Sequence, residues 1–359
     1  MQSIRRQIPA ALRTALRPAT GVTASPAQAS PMVAHYAAGA GKGDFSYDPP
    51  GRNHLMVPGP VNMHDRVVRA MIRSSENHRD PFFGNFITPI FDDVKYMFQT
   101  TKGTPFIFPS TGTGGWESAL SNTLSPGDKV VCFRYGQFSH LWVDMAQRIG
   151  LDVTIVDERW GDGADEAKIT EILKADTNKD IKAVMVVHNE TTTGVTSDLA
   201  KCRAAIDAAD HPALFLVDGV SSIGGLEFKF DEWGVDVAVT GSQKALSIPT
   251  GLGLVCASPK ALAAYPHSKL PKIFFDWGDM MRTNAQGNFP YTPSIPLLYG
   301  MRESLAMIKE EGIENTWARH ARLAAGARKA VDAWGLKLLC KDPRWASDAL
   351  TVIEVPENV

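Results

Sequence analysis

The chain has 359 residues, of which 44% are hydrophobic, and this is enough for one large core and a smaller second domain. Its 37 basic and 39 acidic residues nearly balance, so the charge predicts neither a nucleic-acid-binding surface nor one that binds acidic membranes. No apolar run reaches the length of a membrane-spanning helix. The four cysteines are widely separated and the nine histidines lack ligand spacing. We therefore predict reduced, buried thiols in an intracellular protein, and no metal site.

Residues 1–43 differ in composition from the rest of the chain, since they are rich in Ser, Ala and Pro and no acidic residue precedes Asp44. Their basic residues are Arg5, Arg6, Arg13, Arg17 and Lys42. This composition is typical of an organellar transit peptide, which is disordered and lies outside the folded domains. We expect an organellar location, with the mitochondrion favoured over the peroxisome or plastid. A disordered basic tail without a targeting role is the alternative.

Short apolar runs alternate with amphipathic segments between about residues 105 and 258. The strand candidates are residues 129–133, 151–157, 181–188, 213–217, 236–240 and 252–257, and the helix candidates are residues 114–124, 139–149, 165–175 and 198–210. Continuous Val and Ile runs are typical of strands that are buried on both faces of a mainly parallel sheet. Ligands of such sheets bind at the carboxyl ends of the strands.

A loop rich in glycine and threonine occupies residues 110–117, with the sequence STGTGGWE, and leads into the first helix candidate. Thr111, Gly112 and Thr113 can present hydroxyl groups and free backbone N–H groups to a phosphate at the helix N-terminus. An ordinary helix cap has a similar composition, so the loop alone leaves both interpretations open. It is not a Walker loop, because no lysine follows the glycines.

Two further positions can contact a ligand. Thr191 lies in the segment 188–194, HNETTTG, which ends a strand candidate, and its hydroxyl can donate a hydrogen bond to a cofactor or to a substrate carboxylate. Phe138 can stack on a planar ring. A threonine-rich turn and an aromatic side chain of the core are the alternatives.

The most informative pattern is an aspartate and a lysine at the ends of two strand candidates. Asp218 follows the run 213–217, and Lys244 follows the run 236–240. Burial there would lower the pKa of the lysine, as an imine-forming lysine requires. The pair matches the needs of pyridoxal phosphate, because the lysine can react with its aldehyde and the aspartate can bind its ring nitrogen. Val220 can then pack against the ring face opposite Phe138. A surface lysine and a turn-capping aspartate are the alternative, which the glycine loop disfavours.

The pattern changes after a proline-rich stretch at residues 289–296. A helical region is predicted from about residue 297 to 334, interrupted near Gly312, and residues 349–356 are predicted to be the first full strand of a smaller domain. One strand cannot bury its own faces, so we expect most of that domain to be missing. We divide the chain into a disordered transit-peptide-like segment (1–43), a large cofactor-binding domain with an N-terminal arm (44–310), and a connecting helix with the start of a truncated domain (311–359).

Together these motifs resemble the class V aminotransferases of fold type I, and most closely the serine–glyoxylate and alanine–glyoxylate aminotransferases. The motifs are Thr111-Gly112-Thr113, Phe138, Thr191, Asp218-Gly219-Val220 and Gln243-Lys244, supported by VPGPV at 57–61, PYTP at 290–293 and LLYGMRE at 297–303. The resemblance extends from about residue 54 to the end. It implies an α/β fold with a mainly parallel seven-stranded sheet flanked by helices, a smaller C-terminal α+β domain, pyridoxal phosphate as cofactor, and a homodimer.

The resemblance also implies roles for individual residues. Lys244 would form the internal aldimine and move the α-proton of the amino acid, while Asp218 would keep the ring nitrogen protonated. The other cofactor contacts would be Thr111, Gly112, Thr113, Phe138, Thr191, Val220 and Gln243, with Tyr291 and Ser294 reaching the phosphate of the neighbouring subunit. Pro58, Gly59 and Thr191 would contact the substrate.

The implied reaction transfers an amino group from serine or alanine to glyoxylate. In the family an arginine of the C-terminal domain binds the substrate carboxylate, and that arginine would lie beyond Val359. Two alternatives stay open. One is another class V enzyme, such as a cysteine desulfurase or a lyase of small amino acids. The other is a catalytically silent subunit that binds the cofactor.

Overall fold

The computed structural model describes residues 54–356. Its strands are β1 (Thr104–Pro109), β2 (Lys129–Arg134), β3 (Asp152–Asp157), β4 (Ile181–Val187), β5 (Asn189–Glu190), β6 (Val195–Thr196), β7 (Leu214–Asp218), β8 (Val237–Gly241), β9 (Leu252–Ala257), β10 (Lys337–Leu338) and β11 (Ile353–Glu354). Its α-helices are α1 (Asp65–Met71), α2 (Phe83–Phe98), α3 (Gly112–Thr123), α4 (Gln137–Arg148), α5 (Glu166–Ala175), α6 (Leu199–Ala208), α7 (Pro259–Ala264), α8 (Trp277–Asn284), α9 (Ile295–Glu311) and α10 (Ile313–Ala333).

Seven strands form one sheet in the order β1-β9-β8-β7-β4-β2-β3. The neighbouring strands β8, β7, β4, β2 and β3 pair in parallel, whereas β9 is antiparallel to both of its neighbours. The mainly parallel seven-stranded sheet that the sequence predicted is therefore confirmed.

Burial explains why the central strands have continuous apolar sequences. Every residue of β7, β8 and β9 is buried, as expected for strands in the middle of a sheet that is covered on both faces. The edge strand β3 instead has only exposed and partly buried positions. Polar residues at the end of a central strand are consequently held on a rigid support.

Loops at the carboxyl ends of the parallel strands carry the residues of interest. Helix α3 follows β1 and packs against β8 and β9, while α4 follows β2 and packs against β2 and β3. Asp218 is the last residue of β7, and Lys244 comes three residues after the end of β8. The topology thus brings the N-terminus of α3, Asp218 and Lys244 to the same edge of the sheet.

Strand β1 and helix α2 are two of the elements that were not among the sequence candidates, and both contain proline. Strand β1 has the sequence TPFIFP, and α2 contains Pro89 in its interior. Proline is unusual inside strands and helices, so the periodic signal is weakened at these places. Strand β1 forms nevertheless, because packing of its apolar side chains stabilises it: Phe106, Ile107 and Phe108 are buried in the core.

Of the two predictions for the C-terminal part, the helix break is confirmed and the strand length is wrong. The helical region is broken at Gly312, as predicted, where a positive φ of 86° separates α9 from α10 and favours glycine. The strand predicted at 349–356 was too long, because only Ile353–Glu354 is a strand, paired with the two residues of β10. The proposed boundary between residues 310 and 311 stays a prediction, and residues 1–43 lie outside the described part of the chain.

Among residues 54–356, no helix has both the length and the apolar character to cross a membrane. The same residues contain no group of three or more His, Cys, Asp or Glu side chains that could hold a metal ion.

Candidate active site

A cavity of about 220 Å³ opens at the carboxyl ends of β7 and β8. Its lining contains ten of the residues predicted from the sequence, namely Gly59, Thr111, Gly112, Thr113, Phe138, Thr191, Asp218, Val220, Gln243 and Lys244. Residues as distant in the chain as Gly59 and Lys244 are therefore adjacent in the fold. The cavity has a carboxylate, an amine and a helix N-terminus in its wall, and each offers different chemistry.

Lys244 lies half-buried in the wall of the cavity, where burial lowers the pKa of its amine and the Asp218 carboxylate partly opposes that effect. Its Nζ donates a hydrogen bond to the carbonyl oxygen of Pro58 at 2.8 Å. Among the described residues its ammonium forms no ion pair. An amine whose ammonium form is disfavoured is a better nucleophile for a carbonyl compound.

Asp218 is almost fully buried, and its Oδ1 accepts a hydrogen bond from the Val220 N–H at 2.8 Å. Burial raises the pKa of its carboxyl to about 7, and the negative charge of Glu190 acts in the same direction. The Val220 N–H and the charge of Lys244 act against this rise. A buried carboxylate of this kind is stabilised when a cation binds beside it.

The N-terminus of α3 forms another part of the wall. Thr111 is the N-cap residue, and its side chain makes no capping hydrogen bond. Gly112 packs so closely on Val220 that a Cβ at Gly112 would lie 2.4 Å from Val220 Cγ2. The first backbone N–H groups of α3 have no partner within the helix, so this end of the cavity suits an anion such as a phosphate.

Three predicted residues lie outside the lining. Pro58 takes part through its carbonyl oxygen, which binds Lys244, and its side chain is exposed. Tyr291 stacks on Phe274 with ring centroids 5.5 Å apart, and its hydroxyl donates a hydrogen bond to the Ile273 carbonyl oxygen at 3.4 Å. Ser294 is the N-cap residue of α9. Within a single chain, Tyr291 and Ser294 are not part of this cavity.

Three lining residues were not predicted from the sequence: Trp116, Asn189 and Ser221. Trp116 comes three residues after Thr113 on α3, and this helical spacing was a usable signal, because it places both side chains on one face. Asn189 and Ser221 are joined by a hydrogen bond from Asn189 Nδ2 to Ser221 Oγ at 2.9 Å. This pairing links β5 to the loop that follows β7, and nothing local in the sequence indicates it.

The family model described as "Aminotransferase class-V" matches residues 69–355. The chain belongs to the class V aminotransferases. Members of this family are enzymes that depend on pyridoxal phosphate. The family and fold expected from the motifs are thus confirmed.

Individual relatives agree with the family assignment. The chain is 58% identical over 315 residues to a serine–glyoxylate aminotransferase of Methylorubrum extorquens, which covers 86% of this chain and 78% of the relative. It is 51% identical over 307 residues to an L-aspartate–glyoxylate aminotransferase of Paracoccus denitrificans, covering 86% of this chain and 78% of the relative. The solved structure of an alanine–glyoxylate aminotransferase from Nostoc superposes with a TM-score of 0.80 at 30% identity, covering 88% of this chain and 82% of that chain.

The cavity fits pyridoxal phosphate on its own evidence. The Asp218 carboxylate, whose pKa is raised by burial, suits a protonated ring nitrogen, and Lys244 supplies an amine for the aldehyde. At the end formed by α3, the buried side-chain oxygen of Gln243 has no hydrogen-bond partner among the described residues. This oxygen is therefore not committed to the protein and is available to a hydrogen-bond donor of a ligand.

Proposed function

We propose that this protein is a transaminase that transfers an amino group from serine or alanine to glyoxylate. The observation that carries the proposal is that Lys244, Asp218 and the N-terminus of α3 line one cavity. The high identity to glyoxylate aminotransferases supports glyoxylate as the amino acceptor. The named donors of these relatives differ, so the identity of the preferred donor rests on the experiment below.

The chemistry of each cavity residue determines its role in the reaction. Bound pyridoxal phosphate supplies an electron sink for the electrons of the Cα–H bond. Asp218 holds a proton on the ring nitrogen and so maintains the positive charge of the ring. Lys244, whose amine has a lowered pKa, accepts the α-proton of the amino acid and returns a proton to the product. Thr111, Gly112 and Thr113 bind the phosphate.

The four cysteines bear on the alternative of a cysteine desulfurase. All four, Cys132, Cys202, Cys256 and Cys340, are buried, and burial raises the pKa of each thiol. A desulfurase requires an accessible thiolate, so this observation disfavours that reaction for the present chain. A lyase of small amino acids and a catalytically silent subunit are the remaining alternatives, and the test below separates both from a transaminase.

The test uses the purified protein with pyridoxal phosphate and compares serine, alanine, aspartate and asparagine as donors, with glyoxylate or pyruvate as acceptor. We expect the visible absorbance of the bound cofactor to change on adding the donor and to return on adding glyoxylate. Lys244→Ala should abolish both changes. Lys260→Ala is the matched control, because Lys260 binds the Ala213 carbonyl oxygen and Asp236 and is not part of the cavity.

Each outcome has a distinct meaning. Turnover with serine or alanine that is lost in Lys244→Ala supports the proposal. A cofactor spectrum without turnover identifies a silent subunit, and an unchanged spectrum in Lys244→Ala overturns the assignment of the lysine.

We also propose that residues 1–43 direct import into an organelle, with the mitochondrion favoured and the peroxisome or plastid as alternatives. The support is the run of basic residues without an acidic one before Asp44. A fusion of residues 1–43 to a fluorescent protein tests this proposal. Import should be lost when Arg5, Arg6, Arg13 and Arg17 are replaced by Glu, and uniform fluorescence of the unaltered fusion would contradict it.

A further inference from the structure

Glu190 is a fully buried carboxylate at the end of β5, and neither the predicted roles nor the proposed reaction uses it. Among the described residues no Lys, Arg or His side chain forms an ion pair with it. Its partners are backbone groups: Oε2 accepts a hydrogen bond from the Ser139 N–H at 2.9 Å, and Oε1 accepts from the N–H groups of Phe138 at 3.3 Å and Thr192 at 3.2 Å. A buried charge without a cation calls for an explanation.

The position of the carboxylate explains how its charge is accommodated. Phe138 and Ser139 belong to the first turn of α4, whose unpaired N–H groups and dipole favour a negative charge. The approach is close, because a Cβ at Gly136 would lie 2.4 Å from Glu190 Cδ. Glu190 therefore caps α4 from a different part of the chain and fixes the start of this helix against β5.

The first turn of α4 also carries a wall of the cavity. Phe138 lines the cavity together with Asp218 and Val220, whereas its own backbone N–H faces Glu190. Ser139 Oγ accepts hydrogen bonds from the N–H groups of Tyr135 and Gly136 at 3.0 Å each and so closes the turn on its other side. Glu190 binds the backbone turn that carries Phe138, and this turn determines the position of the half-buried Phe138 ring.

We propose that Glu190 is a positioning residue that acts through Phe138: its buried carboxylate holds the first turn of α4 so that the Phe138 ring stacks on the cofactor. The inference rests on the proposed function, since it concerns the same cavity. Glutamine is a poor substitute at this position, because it offers one acceptor oxygen and places an NH2 group against backbone N–H donors.

The experiment measures binding of pyridoxal phosphate to the full chain by its visible circular dichroism and by its dissociation constant. The variants are Glu190→Gln, Phe138→Ala and the double variant. Asp165→Asn is the matched control, because Asp165 also caps a helix with its carboxylate, at the Ala167 N–H of α5, and lies outside the cavity. Gly136→Ala is a second probe, since its Cβ displaces the Glu190 carboxylate without changing the charge and its φ of 177° suits any residue.

We expect Glu190→Gln to weaken cofactor binding about tenfold, as expected for unsatisfied buried N–H groups, and to change the visible circular dichroism. In the Phe138→Ala background the same substitution should have little further effect, because the ring on which it acts is gone. Gly136→Ala should reproduce the change, and it decides the question if Glu190→Gln does not fold. Asp165→Asn, which keeps an acceptor oxygen at its N-cap, should leave cofactor binding unchanged.

Equal weakening in the wild-type and Phe138→Ala backgrounds overturns the inference, as does unchanged binding in Glu190→Gln. If the wild-type protein itself binds no pyridoxal phosphate, the proposed function fails and this inference fails with it. The wild-type measurement therefore distinguishes the two failures.

Discussion

Lys244 Nζ donates a hydrogen bond to the carbonyl oxygen of Pro58, 2.8 Å away, although 186 residues separate the two in the chain. The neighbouring Gly59 also packs against the lysine side chain, and a Cβ added at Gly59 would lie only 2.4 Å from Lys244 Nζ. The exposed segment that contains Pro58 is also tied to the loop of the lysine by a hydrogen bond from the Val61 N–H to the Gln243 carbonyl oxygen at 3.2 Å. The N-terminal arm thus forms one wall of the site and determines where the amine can lie.

This contact predicts that Gly59→Ala displaces Lys244. Gly59 has a φ of 126°, so alanine there carries backbone strain on the order of 1–2 kcal/mol in addition to the clash. We expect pyridoxal phosphate affinity to fall by at least about tenfold, which corresponds to roughly 1.4 kcal/mol. Gly150→Ala is the control, because Gly150 has a φ of 91° and no atom within 4 Å of its added Cβ. Equal losses of cofactor affinity in both variants would contradict this prediction.

The buried Asp218 predicts a pH-dependent stability of the cofactor-free protein. Burial raises the pKa of its carboxyl from 3.8 to about 7. Between these pH values the folded state holds a proton that the unfolded state has released, so the contribution of Asp218 to stability falls as the pH rises through this window. Asp218→Asn does not titrate and should be the more stable protein at pH 8, on the order of a few kcal/mol at about 1.36 kcal/mol per pKa unit.

Urea unfolding of the cofactor-free proteins at several pH values checks this prediction. The advantage of Asp218→Asn should shrink as the pH is lowered toward 4. Asp231 is the contrasting control: burial alone would raise the pKa of its carboxyl, but hydrogen bonds from Thr100 and Thr101 outweigh burial and lower it. Asp231→Asn should therefore destabilise the protein near neutral pH. An Asp218→Asn advantage that is independent of pH would exclude the buried titration as its cause.

A chain of hydrogen bonds predicts that the C-terminal segment affects the cavity. Ser347 Oγ donates to Asn189 Oδ1 at 2.7 Å, and Asn189 Nδ2 donates to Ser221 Oγ at 2.9 Å. Because Asn189 and Ser221 line the cavity, Ser347→Ala should weaken cofactor binding about three- to tenfold, as expected for one buried hydrogen bond. Ser258→Ala, which removes a helix cap outside the cavity lining, should leave the dissociation constant of pyridoxal phosphate unchanged.

We propose that Tyr291 acts across a dimer, because the family resemblance places it at the phosphate of the neighbouring subunit and it lies outside the cavity of its own chain. If its hydroxyl reaches the phosphate of the neighbouring subunit, Tyr291→Phe and Lys244→Ala subunits should complement each other when they are mixed. Half of the random dimers are then mixed and contain one intact site, which gives about a quarter of the wild-type transaminase activity. Activity no higher than that of the separate variants would show that Tyr291 does not act in this way.

The sequence by itself determined most of the sheet and most of the site. Continuous Val and Ile runs predicted six of the seven strands, because both faces of a parallel sheet are buried, and Asp218 and Lys244 lie at or just after the ends of two of these strands. The glycines of α3 were recognised from their own sequence, since β1, which precedes them, was not predicted. These residues are recognisable because imine formation, ring protonation and phosphate binding each require a particular residue type at a strand or helix end.

Tertiary structure alone decided the contacts between segments that are distant in the chain. The approach of Pro58 to Lys244, the capping of α4 by Glu190 and the link from Ser347 through Asn189 to Ser221 all depend on how loops meet above the sheet. No local periodicity encodes such contacts, because each side chain is ordinary for its own segment. Their role exists only once the packed helices bring the segments together.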